Sequence, residues 1–171
     1  GAPSCPHCGA PTLADEDTMT GQITEPKRSW TFQLLGEVIE RTLSSGRSVE
    51  AERLMRRAAK EVDERLAAGE RLEPAHVTMI SGFAVRLARL VGSADWVAWA
   101  VTLHRRQSQM FSDEVIDRLG ELDLSVLPDV RSMIEGFIAW FRAEHGGTDE
   151  EPQRPTSETA RLGRLEGILA S

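Results

Sequence analysis

An all-α fold is what this sequence predicts, and three observations carry the prediction. From Trp30 onward apolar residues recur at three- and four-residue steps. The runs marked in this way are separated by short breaks holding Gly, Ser or Pro. Strand signals, meaning short alternating runs joined by Asn-Gly type turns, are missing along the whole sequence.

Taken in order, Trp30, Leu34, Leu35, Val38, Ile39 and Leu43 mark a first amphipathic helix. The stretch SSGRS at 44–48 stops it, with Gly46 free to turn left-handed and Ser48 suited to cap the next helix. The second helix turns Ala51, Leu54, Met55, Ala58, Val62 and Leu66 inward and pairs Glu52 with Arg56, Arg57 with Glu61 and Glu61 with Arg65 outside. Gly69 and Glu70 end it, and Pro74 stands where a first-turn proline is tolerated. A third helix, about 75–91, carries Val77, Ile80, Ala84, Leu87 and Val91 on one side, and Met79, Phe83 and Leu90 widen that arc enough to make it central. GSAD at 92–95 breaks it before WVAWAVTLHRR at 96–106. SDEVIDRLGEL at 112–122 is a short fifth helix capped by Ser112. Pro128 opens a sixth, with Val130, Met133, Ile134, Phe137, Ile138 and Phe141 buried and Arg131, Glu135 and Arg142 on a solvated face. A last, weaker helix over 158–171 has Leu162, Leu165, Ile168 and Leu169 on one side.

The breaks at 44–48, 92–95 and 123–128 are short enough to make their flanking helices antiparallel neighbours. Three helix hairpins are therefore expected, stacked as a short tetratricopeptide-like (TPR-like) solenoid or folded as an irregular bundle, with the last helix covering an open end. The hairpin turns lie about 46 and about 33 residues apart, so a strict repeat is not supported. The expected organisation is a cysteine knuckle at 1–9, a flexible acidic linker at 10–29, a helical domain at 30–145, a second linker at 146–157 and the closing helix at 158–171.

The charge balance narrows function. With 20 basic against 27 acidic residues the 171-residue chain carries a formal net charge of -7. That argues against a nucleic-acid partner, which rewards a basic surface. No run approaches the length of a membrane span. The opening Gly-Ala-Pro is read as a tag scar or the edge of an excised fragment, so a missing signal peptide says little. Two lone cysteines fit a reducing cytoplasm.

Cys5 and Cys8 allow three readings. A redox pair needs a strand before the motif and a helix starting at it, but four residues precede Cys5 and Gly9-Ala10-Pro11 follows. A zinc knuckle uses Cys-x-x-Cys-Gly to aim two sulfurs at one ion, and it needs two further ligands from a second chain or from residues upstream. The third reading is a tail with two free thiols. The knuckle is favoured, with zinc as the only cofactor the sequence implies, and a shared ion would make the chain a homodimer.

Other candidates are weaker in chemistry. His104 projects to the apolar side of its helix and is expected to be buried and hydrogen-bonded rather than a general base. Trp30 and Trp96 stand at helix starts as packing anchors. Trp99 and Trp140 lie at stripe margins where an indole N–H reaches solvent, and Arg105 and Arg106 follow His104, so these four residues are the expected partner-binding positions. Thr18, Thr20 and Thr24 sit in DEDTMTGQITEP and are candidate phosphorylation sites. Phosphate loops, Ser-His-Asp sets and paired carboxylates of an active site are not found. The expectation is a non-catalytic protein-interaction module, with an all-α enzyme the less favoured alternative.

Cys5-Pro-His-Cys-Gly9, LLGEVIERTLSSGRSVEAERLM at 34–55, VGSADWVAWAVTLH at 91–104 and EVIDRLGEL at 114–122 together resemble one group of bacterial signalling proteins. In that group a forkhead-associated, phosphothreonine-binding domain is joined to a CPxCG segment and a helical carboxy-terminal region. The resemblance spans roughly 5–145 and implies an adaptor in a Ser/Thr kinase pathway, working through protein partners. The phosphothreonine-binding sandwich is not among these residues, so no binding residue is carried over.

Overall fold

Among the described residues, helical periodicity translates into seven helices: α1 (Glu25–Ser44), α2 (Ser48–Ala67), α3 (Pro74–Val91), α4 (Asp95–Arg106), α5 (Asp113–Gly120), α6 (Pro128–His145) and α7 (Ser157–Ala170). The computed structural model describes residues 25–145 and 157–170, with side chains from Leu34 onward. Among these residues there is no strand. The chain divides into two units, Gly1–Phe32 and Gln33–Ser171. Of the first, only the opening turns of α1 are described.

α1 begins at Glu25, so the end of the stretch expected to be linker is helical. Pro26 falls in the first turn, where a missing N–H costs nothing. Its inward side is also narrower than the pattern predicts. Ile39 and Leu43 are buried, but Leu34 and Val38 remain 46% and 50% exposed. The reason lies at Gly36, where an added Cβ would stand 3.1 Å from Met79 Sδ and 3.7 Å from Phe83. α1 meets α3 along the Gly36 side, and the 34/38 side is turned away from it.

In α2, Ala51, Met55, Ala58 and Val62 are buried as expected. Glu52 and Arg56 pair at 2.8 Å. The expected Arg57–Glu61 and Glu61–Arg65 pairs do not form; Arg65 turns instead to Glu70 beyond the helix, at 2.9 Å. Ser48 is the first helical residue rather than a side-chain cap. Gly46 and Gly69 are left-handed, with φ of +69° and +81°.

α3 is central. It packs on α2, α4 and α5, and its buried residues run from Val77 to Ala88, including Ser81 and Gly82. Pro74 starts it, and Gly92 closes it at φ 66°, ψ 35° with its N–H on the Ala88 carbonyl. A side chain at φ near +66° is strained, so Gly92→Ala is expected to lose about 1 kcal/mol of folding free energy in denaturant titrations. An unchanged midpoint would show that this turn readjusts.

The remaining helices close the core. Ser112 caps α5 by accepting from the Val115 N–H at 3.3 Å, as expected. Phe111 and Phe137 lie 4.3 Å apart by ring centroids, with Phe141 6.1 Å from Phe137. α6 packs on α4, and α7 packs on both α5 and α6. Leu165 of α7 is fully buried. Two cations expected to be merely solvated turn out to hold α7: Arg142 pairs with Glu166, and Arg131 donates to the Leu169 carbonyl. From α7 itself, Arg161 and Arg164 reach Asp113 at 2.9 and 2.7 Å, and Arg164 also binds Asp117. The Arg161 hydrogen bond, with Arg164 beside it, holds the Asp113 carboxyl below its usual range.

Of the three expected hairpins, α3 and α4 pack directly on each other, but α5 and α6 do not approach closely despite their short link: α5 packs on α3 and α7, and α6 on α4 and α7, while α1 meets α3 at Gly36.

Candidate functional site

Within DWVAWAVTLHRR the inward residues are Trp96, Val97, Ala100, Val101, Leu103 and His104. Helical geometry leaves Trp99, Thr102, Arg105 and Arg106 on the outer side. Asp63 of α2 meets two of them. Trp99 Nε1 donates to Asp63 Oδ2 at 3.4 Å and Arg106 Nη1 donates to Asp63 Oδ1 at 3.0 Å. On the opposite flank of α4, the Arg105 guanidinium stands over the Trp140 ring at 5.4 Å from its centroid, a cation–π contact between α4 and α6. The four residues expected to meet a partner thus lie on neighbouring outer surfaces but form two separate pairs. Each already links helices.

Between α2 and α4 the surface opens into a groove of about 510 Å³. Ala59, Ala67, Trp96 and Trp99 supply its apolar lining, and Arg56, Lys60, Asp63 and Glu64 its polar edge. Trp96 and Trp99 meet edge to face, with centroids 6.4 Å apart. Small alanines on α2 are what leave the space, because larger residues there would fill it. Asp63, Arg56 and Lys60 were not among the expected site residues. In the sequence they are ordinary polar positions of an amphipathic helix, and nothing marks them until α4 is laid alongside.

His104 is fully buried, as its position predicts. Its Nδ1 lies 3.1 Å from the Gln109 carbonyl and its Nε2 3.1 Å from Ser81 Oγ. The matching tautomer donates from Nδ1 and accepts the Ser81 hydroxyl proton at Nε2. Burial, which disfavours the charged ring, lowers its pKa to about 4 against the raising effect of the Gln109 and Met110 backbone. Both nitrogens are used and the ring sits 4.2 Å from Phe111, so it offers no proton-transfer atom to a solvent-borne substrate.

A larger cavity, about 690 Å³, lies where the α5–α6 turn meets α7, lined by Ile116, Asp117, Asp123, Arg131, Arg164 and Ile168 among others. Its charged groups are spent within the fold. Arg164 is on Asp113 and Asp117, Arg131 on Leu169, and Asp123 on Ser125, whose hydroxyl and N–H hold that carboxyl below its usual range.

Cys5, Cys8, Thr18, Thr20 and Thr24 lie outside the described residues, as does the Trp30 side chain. Among the described residues, no group of three or more His, Cys, Asp or Glu side chains is placed to hold a metal ion. Among the same residues no helix is long and apolar enough to cross a membrane. Compared with known proteins, the chain matches no family model, no curated protein and no solved structure.

Proposed function

We propose that this chain is a non-catalytic interaction module that presents the outer side of α2 and α4 to a protein partner. The observation that carries the reading is the α2–α4 groove, an open, alanine-floored channel with two indoles along it and cations on its edge. Indole and guanidinium groups are the side chains that most often dominate binding energy at such surfaces. The packing of α3 on α4, with α5 and α7 following on one and α6 on the other, fits an irregular helical bundle whose outer grooves take partner segments. The resemblance to helical regions of forkhead-associated signalling proteins supports a partner in a Ser/Thr kinase pathway, and the isolated cysteine pair fits a cytoplasmic setting.

Because Asp63 anchors both Trp99 and Arg106, the pair Trp99→Ala with Arg106→Glu also loosens the α2–α4 contact. A cleaner probe keeps Asp63 bonded to Arg106. Trp99→Ala is set beside Lys60→Glu, and each is checked by thermal melting. In cross-linked pull-downs from the source cells, partners captured by wild type are expected to be lost from both variants. Recovery of the same proteins at the same yield from two folded variants sinks the reading.

A further inference from the structure

We propose that the occupant of the α2–α4 groove is an acidic amphipathic helix, with its apolar side chains against Trp96 and Trp99 and its carboxylates facing Arg53, Arg56, Arg57 and Lys60. This rests on the groove being the docking surface and adds the chemistry of the partner.

Charge is the first argument. Positions 53, 56, 57 and 60 fall at i, i+3, i+4 and i+7, which places all four cations along one side of α2. All four residues are exposed. Arg56 and Lys60 line the groove, and Arg53 and Arg57 fall on the same side of α2 by helical spacing. Arg56 holds Glu52 at 2.8 Å, and Lys60 stands 3.7 Å from Glu64. Arg53 and Arg57 have no carboxylate partner among the described residues, which leaves two cations unmatched in a chain of net charge -7. Two carboxylates line the groove, and both are already matched: Asp63 is engaged by Trp99 and Arg106, and Glu64 stands by Lys60, so neither offsets Arg53 and Arg57. With Arg56 and Lys60 matched by Glu52 and Glu64, the surplus positive charge on this side of α2 comes from Arg53 and Arg57, against the chain's overall sign. It steers and orients a segment rich in Asp or Glu.

Backbone chemistry is the second argument. The described residues contain no strand and hence no sheet edge on which an extended peptide could pair. A segment buried in this groove must satisfy its own N–H and C=O groups, and a helix does so internally. The apolar stripe of such a helix then matches the Ala59, Ala67, Trp96 and Trp99 lining. Nucleic acid fits less well. It gains affinity by displacing many counterions, and here a handful of cations stands in the field of an acidic chain.

The test uses the whole chain and three synthetic amphipathic peptides of about 18 residues, some five helical turns. They share one leucine stripe and carry Glu, Gln or Lys at the polar positions. Binding is read from the indole N–H signals of Trp96 and Trp99. The Glu peptide is expected to bind about tenfold more tightly than the Gln peptide at low salt, with the difference shrinking as salt rises. Two independent charge reversals, Arg56→Glu with Lys60→Glu and Arg53→Glu with Arg57→Glu, are each expected to remove most of that difference. Equal binding of Glu and Gln peptides, both lost in Trp99→Ala, overturns the acidic partner but leaves the groove as a docking surface. Preferential binding of the Lys peptide, of a DNA oligonucleotide or of phosphatidylserine vesicles also overturns the proposal. No movement of either indole signal with any peptide at millimolar concentration overturns both readings.

Discussion

Acidification from about pH 7.5 to about pH 4 is expected to cost this protein on the order of 3 kcal/mol of folding stability through His104 alone. The sign follows from the direction of the shift. The folded-state pKa is lowered from 6.5 to about 4, so below pH 6.5 the unfolded chain takes up a proton that the folded chain refuses. The contribution is complete above the unfolded value, falls away as pH drops toward the folded value, and does not decline further below it. The cause is geometric. The ring is sealed from solvent, held at both nitrogens and packed on Phe111, so a charge there has no water to solvate it. His104→Gln keeps an amide donor and acceptor near Gln109 and Ser81 but does not titrate. Urea unfolding of wild type and variant at several pH values separates this effect from that of the carboxylates. Stability should fall more steeply with acid in wild type, and identical pH profiles would sink the prediction.

The other large expected effect is at Phe137. Its side chain is fully buried on α6, with Phe111, Trp140 and Phe141 at centroid distances of 4.3, 5.5 and 6.1 Å. His104 also meets it edge to face at 6.5 Å. Phe137→Ala removes the ring that joins α4, α6 and the segment after α4, and it is expected to destabilise by about 3–5 kcal/mol. A domain of this size has only about 5–15 kcal/mol in total. The variant is therefore expected near the edge of folding at body temperature. Phe137→Leu keeps most of the volume and should lose about 1–2 kcal/mol, which makes a series that denaturant titration can resolve. A loss under about 1 kcal/mol for the alanine variant would mean the core collapses around the gap.

Much of the architecture is legible in the sequence because helix formation and burial share one period. The stripes in α2, α3 and α6 name most of the buried residues, although Leu54, Leu66, Val91 and Met133 are only half-buried and Leu90 is exposed; Pro74 and Pro128 mark helix starts, and Ser112 names its own cap. Where the pattern misleads, a neighbour decides the outcome. Leu34 and Val38 belong to the apolar arc of α1 by spacing, but Gly36 lets α3 approach a different side and leaves them exposed. Arg131 and Arg142 look like solvated face and instead hold α7. Arg65 passes over the carboxylate one turn behind it for Glu70, because the chain bends back at Gly69.

Trp99, Trp140, Arg105 and Arg106 stand out by residue type and by their place at the margins of stripes. That is as far as a single helix's pattern reaches. Asp63, Arg56 and Lys60 gain their significance from lying across the groove from α4, a relation between α2 and α4 positions 36 and 43 residues apart for the Asp63 bonds to Trp99 and Arg106.

Composition and periodicity alone settled that the described chain is helical, where most helices begin and end, and most of the side chains that are hidden, because each depends on neighbours within a turn or two. Tertiary packing decided the rest: which stripe edge stays bare, which carboxylate each arginine chooses, and that two tryptophans flank an open channel. Those outcomes depend on distances between separate helices, and no local rule of hydrogen bonding or amphipathicity specifies them.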